Sequence, residues 1–128
     1  MSDRNVRVRL SLVSSLNSDY SRPEVDVLWE DEFDQEETMY VPVQAVTGGG
    51  TTFTTSFLTT GAMPLAIFNE DGTNFVNATI RTVGQAATFV VRIRAGEFFY
   101  TADFDPQSNI VLVADTASVA CRIFIAGT

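Results

Sequence analysis

Period-two patterning, interrupted about every ten residues by turn formers, is the feature that most constrains this chain. In Val6-Arg7-Val8-Arg9-Leu10-Ser11-Leu12 the residues Val6, Val8, Leu10 and Leu12 fall on one side of an extended strand, and Arg7, Arg9 and Ser11 on the other. Residues 24–30 alternate again, with Val25, Val27 and Trp29 opposite Asp26 and Leu28. Between these runs, residues 14–23 are rich in Ser, Asn and Asp and end at Pro23, which predicts a loop. Residues 30–37 hold six acids around Phe33, too charged for a core strand and too short for a stable helix, and they predict an acidic loop. Residues 38–46 return to strand, where Pro42 confines the segment to an edge or a bulge. Gly48-Gly49-Gly50 predicts a flexible joint, and residues 51–60 a Thr-rich strand carrying Phe53 and Phe57.

The second half is denser in strand signals. Residues 65–68 predict a short strand. Residues 69–74 (Asn-Glu-Asp-Gly-Thr-Asn) predict a hairpin loop in which the Asp71-Gly72 step supplies a positive φ, so that residues 75–83 pair back. In residues 87–94, Phe89, Val91 and Ile93 share a face, and Ala95-Gly96 reverses the chain into residues 97–103. A loop at Asp105-Pro106-Gln107-Ser108, a strand over 110–114, a reversal at Asp115-Thr116 and a last strand over 119–125 complete the chain. The expectation is an all-β, single-domain β-sandwich over residues 1–128, jelly-roll-like or immunoglobulin-like, with eight to ten short strands. No window keeps a helical period for three turns. The paired cysteines of an immunoglobulin domain are absent, since Cys121 is alone.

Charge narrows the range of partners. Net charge is −8, with residues 1–23 at +2, residues 24–37 at −8 and the rest at −2. An excess of acid does not provide the cationic footprint that nucleic acid requires. No stretch is long and apolar enough to span a bilayer, and the first residues do not resemble an apolar leader, so neither a membrane nor a signal peptide is expected. All eight cations are Arg, whose planar fork suits contacts buried between subunits. The basic first strand and the acidic run are expected to meet between neighbours in a cyclic oligomer.

Catalytic chemistry finds little to work with. There is no His to act as a base beside a Ser, Thr or Cys nucleophile, and Cys121 lies on the Val119, Cys121, Ile123, Ile125 face as a small buried hydrophobe. One Cys without His excludes an ordinary zinc site. Asp103, Asp105, Ser108 and Asn109, and separately Asn69, Asp71 and Asn74, gather hard oxygens, but they lack the spacing of a calcium loop and read as turn chemistry. No catalytic, cofactor-binding or metal-ligating residue is therefore assigned, and no enzyme activity is expected. Asn77-Ala78-Thr79 matches a glycosylation sequon inside a strand and is read as accidental. Trp29, Tyr40, Phe99 and Tyr100 are candidates for a carbohydrate-binding face, against a core or subunit-interface role.

From Pro64 to Ala126 the runs P-L-A-I-F-N-E-D-G-T-N-F-V-N-A-T-I-R, F-V-V-R-I-R-A-G-E-F-F-Y and N-I-V-L-V-A-D-T-A-S-V-A-C-R-I-F-I-A follow one another. This succession resembles the small β-sandwich virion proteins of tailed bacteriophages, notably capsid cement or decoration proteins and some neck or tail accessory proteins. The resemblance implies a non-enzymatic structural protein of the virion, made in the host cytoplasm. It further implies docking on the major capsid protein or other virion proteins as a homo-oligomer, a trimer first. It carries over no functional residue. A carbohydrate-binding β-sandwich module is the alternative.

Overall fold

The computed structural model describes residues 4–35, 37–56, 58 and 63–127. Among these described residues ten strands follow in order: β1 (Arg4–Ser15), β2 (Pro23–Gln35), β3 (Glu37–Ala45), β4 (Thr51–Phe53), β5 (Met63–Asn69), β6 (Val76–Ile80), β7 (Phe89–Ile93), β8 (Phe98–Phe104), β9 (Ile110–Ala114) and β10 (Val119–Gly127). The fold is all-β, as expected. The strands are not uniformly short, because β1 and β2 run to 12 and 13 residues.

β3 to β10 form two four-stranded antiparallel sheets packed face to face, ordered β3-β10-β5-β8 and β4-β9-β6-β7. The pairing is nested: β3 with β10, β4 with β9, β5 with β8 and β6 with β7. The chain thus behaves as one long hairpin rolled over itself, which is the jelly-roll arrangement of two Greek keys and excludes the immunoglobulin-like order. Val41, Ile123, Ile67 and Phe99 lie side by side across the first sheet and point inward. Ala78, Ile80, Ile110 and Leu112 close the core from the second. Alternation explains this sorting, since each strand sends every second side chain to the same face. Pro42 sits in β3, the edge strand of its sheet, where a missing N–H breaks no ladder.

Several connections differ from the sequence expectation. The Asp71-Gly72 loop is not a hairpin: it carries the chain from β5 in one sheet to β6 in the other, and β6 pairs with β7 and β9. Gly72 is not among the glycines with positive φ. The loop is held by side chains instead. Buried Asn69 donates through Nδ2 to the carbonyls of Asn74 (2.9 Å) and Ile93 (3.0 Å), and its Oδ1 accepts from the Asp71 N–H at 2.9 Å. Asp71 Oδ2 accepts from the N–H groups of Thr73 and Asn74, and these bonds hold its carboxyl below the usual range.

The triple glycine is a defined turn. Gly48 and Gly50 have φ of 72° and 77°, and a Cβ on Gly50 would lie 2.7 Å from the Leu112 carbonyl oxygen. The Thr-rich strand ends at Phe53. Thr55 beyond it is buried, donating from its hydroxyl to the Pro106 carbonyl (2.7 Å) and from its N–H to Asn109 Oδ1 (3.0 Å). Phe57, Thr59 and Thr60 lie outside the described residues. The acidic run is strand rather than loop: residues 30–35 form the end of β2, and β3 begins at Glu37.

Candidate functional site

β1 and β2 pair only with each other among the described residues, as a two-stranded sheet apart from the sandwich. Their register sets Leu10 opposite Trp29, Leu12 opposite Val27 and Ser14 opposite Val25. The two apolar faces read from the sequence therefore become one face of one ribbon. The other face sets Arg7 opposite Glu32 and Arg9 opposite Glu30, with an Arg9 Nε to Glu30 Oε1 distance of 2.6 Å. This corrects the expectation that the basic strand and the acidic run meet between neighbouring subunits, because cross-strand pairing brings the two charges together inside the arm. At its tip Leu16–Ser18 makes a single 3-10 turn, with Asn17 and Ser18 at positive φ.

The arm touches the sandwich only near its base. Val6 is 8 % exposed and Val8 half-buried, whereas every residue from 16 to 32 is exposed, Trp29 at 69 % and Leu12 at 55 %. At about 3.3 Å per residue the ribbon is about 40 Å long, far longer than its seated end. A pair of strands is at best marginally stable alone in water, so most of this ribbon lacks a surface to lean on.

The surface beneath the base is the outer face of the β3-β10-β5-β8 sheet. Ladder register places Tyr40, Phe124, Ala66 and Tyr100 in one row across it, and Pro42, Arg122, Phe68 and Phe98 in the next. Phe68 stacks edge-on against Tyr40 (6.2 Å between centroids) and tilted against Phe98 (5.9 Å), and the Arg122 guanidinium lies 5.0 Å from the centre of the Tyr40 ring. Arg122 also reaches Glu70 at 3.3 Å. Val6, Arg7, Val8 and Arg9 border this face, leaving a cleft of about 390 Å³ lined on the sheet side by Tyr40, Ala66, Phe68, Phe98, Tyr100 and Phe124. The cleft is predominantly hydrocarbon. Tyr40 and Phe98 are each 56 % exposed. Burial, with the charges of Asp31 and Asp103, raises the Tyr100 phenol above its ordinary pKa.

Of the aromatic candidates, Tyr40 and Tyr100 lie on this face and Trp29 on the arm, while Phe99 packs against the core. Phe68 and Phe98, which the sequence reading did not select, complete the aromatic face, with Phe68 between Tyr40 and Phe98. Their signal was available, since residues 64–68 are apolar on both faces of a strand, and an antiparallel sheet needs only one such face for its core.

The two oxygen clusters have structural partners. Asp105 Oδ2 pairs with Arg81 at 2.9 Å, its Oδ1 accepts from the Gln107 N–H, and Asn109 is bound to Thr55. Burial, then the charges of Glu70 and Asp71, pushes the Cys121 thiol up to about 11, which keeps it protonated and unreactive near neutrality. The Asn77-Ala78-Thr79 sequon lies in the middle of β6. Comparison with protein-family models, curated proteins and solved structures finds no match to this chain.

Proposed function

We propose that this chain is a non-enzymatic structural protein of a tailed-bacteriophage virion, a cement or decoration subunit that acts by docking on the major capsid protein or on other virion proteins. The observation that carries the reading is the arm, a long ribbon with a continuous uncharged face of Leu10, Leu12, Val25, Val27 and Trp29 exposed to water. Exposed apolar surface of this extent marks a contact site, and a ribbon that cannot stabilise itself gains its order from what it lies on. The resemblance of residues 64–126 to virion proteins supplies the setting. Jelly rolls serve both capsids and lectins, so the fold leaves the choice to the surface.

The carbohydrate-binding alternative draws on the exposed rings of Tyr40 and Phe98. A sugar site needs several convergent hydrogen-bonding groups beside its aromatic platform, and this cleft offers only those of Arg7, Arg9, Tyr40 and Tyr100 among an otherwise apolar lining. Protein docking is the better fit. The test is co-sedimentation with capsids assembled from the major head protein of the same genome, in parallel with a glycan-binding screen. Wild-type protein should pellet with capsids, and Leu12→Ser or Trp29→Ser should reduce the bound fraction severalfold. Glycan binding without capsid binding would overturn the proposal.

A further inference from the structure

The arm and the aromatic sheet face are two halves of one kind of contact. Within a single chain the inner end of the arm already lies on this face, with Val6 buried and Val8 half-buried against it. Leu10 and Trp29, paired with each other, border a second cleft with Tyr100 yet stay 43 % and 69 % exposed, and Leu12 paired with Val27 carries the same face further into solvent. The sheet likewise continues beyond its own arm, because Tyr40 and Phe98 are half uncovered. We propose that the occupant of both exposed halves is a second copy of this chain: the outer arm of each protomer lies on the exposed aromatic row of the other, in a reciprocal two-fold exchange.

Area decides for the reciprocal arrangement. With fully covered aromatics burying about 150–250 Å² each, the exposed parts of Leu10, Leu12, Val25, Val27 and Trp29 together with Tyr40 and Phe98 bring on the order of 700 Å² of apolar surface to one arm-on-sheet contact. One such contact falls short of the roughly 1,200–2,000 Å² of a stable interface, whereas two related by a two-fold axis reach about 1,400 Å². Charge does not oppose it. Leu10, Leu12, Ser14, Val25, Val27 and Trp29 carry no ionised group, and Asp26, Glu30 and Glu32 fall on the opposite side, while Asp31, opposite Val8, shares the docking face at its inner end. Apart from Asp31, the net charge of −8 acts at long range, where salt screens it.

This inference rests on the assembly reading above and identifies the arm's partner. The full-length chain is examined by sedimentation equilibrium across a concentration series, with emission from Trp29, the sole tryptophan, recorded on the same samples. A monomer–dimer equilibrium is expected, with a blue shift of Trp29 emission on association. Leu12→Ser on the arm and, separately, Phe98→Ser on the sheet should each weaken dimerisation by about tenfold or more, as truncation of a buried anchor does. Each variant should also return Trp29 emission to the monomer value at an unchanged circular dichroism spectrum. Dimers that survive Phe98→Ser would mean that arms pack on arms, which overturns the exchange. A monomer at every concentration also overturns it, and if that monomer still pellets with capsids the assembly reading stands alone. A dimer that behaves as expected but ignores capsids upholds the exchange and removes the virion reading.

Discussion

Single residues hold the connections that strand patterning leaves open. Asn69 is the clearest case, since its three hydrogen bonds tie the β5–β6 loop to the end of β7. Asn69→Ala removes a donor from the buried Ile93 carbonyl and from the part-buried Asn74 carbonyl, and should lower unfolding free energy by about 1–3 kcal/mol, measured by denaturant titration. Gly50 and Gly49 provide a matched pair. Gly50→Ala forces a Cβ into the Leu112 backbone at an unfavourable φ, whereas Gly49→Ala meets open space. The first should destabilise by more than about 1 kcal/mol and the second should stay within about 0.5 kcal/mol of wild type. Cys121 sets a pH dependence. Its folded pKa of about 11 lies above the ordinary value of 9.0, so below pH 9 both states keep the proton and nothing is lost. Between pH 9 and 11 the unfolded thiol ionises first, the unfolded state binds fewer protons, and stability falls as pH rises. Cys121→Ala should flatten that part of the stability profile, and a thiol reagent at pH 8 should label wild type only after denaturant is added.

At the scale of elements, the arm and the sandwich should differ in dynamics. β6 is flanked by β7 and β9, and β10 by β3 and β5, with their inward side chains in the core. β1 and β2 have one neighbour each and almost no burial beyond Val6. Amide hydrogen exchange in dilute protein should therefore show the outer arm opening far below the global unfolding energy, while β6 and β10 open only with the whole molecule. Equal protection in both regions would contradict this division. The exposed Arg9–Glu30 pair adds little by itself, because surface ion pairs contribute roughly 0–1 kcal/mol. Arg9→Glu should accordingly speed exchange in the arm and leave the thermal midpoint of the sandwich within a degree or two of wild type.

For the molecule as a whole, the nested pairing makes β10 decisive. It lies between β3 and β5, joining residues far apart in sequence, and Ile123 at its centre is 1 % exposed. Ile123→Ala should cost about 2–5 kcal/mol, whereas Tyr40→Ser on the outer face of the same sheet should cost under about 1 kcal/mol. Similar losses at both sites would mean that the sheet is buried on both faces.

The amino-acid sequence by itself determined the strand class, most of the turn positions and which residues share a strand face, because period two and breaker residues act over a few neighbours. Val6 to Leu12, Val25 to Trp29 and the Val119, Cys121, Ile123, Ile125 face were all legible in that way. It also confined Pro42 to an edge or a bulge, of which the fold uses the edge. Only the tertiary structure decided which strands pair, since a ladder is closed by partners that local pattern does not name. That is why the Asp71-Gly72 loop, which resembles a hairpin turn, crosses between sheets instead. For the same reason, the acids of residues 30–35 became a strand: the alternating β1 supplied a ladder and Arg9 a counter-charge. The exposed apolar face of the arm is likewise a tertiary outcome, because alternation predicts a buried side but not whether the chain's own core is large enough to cover it.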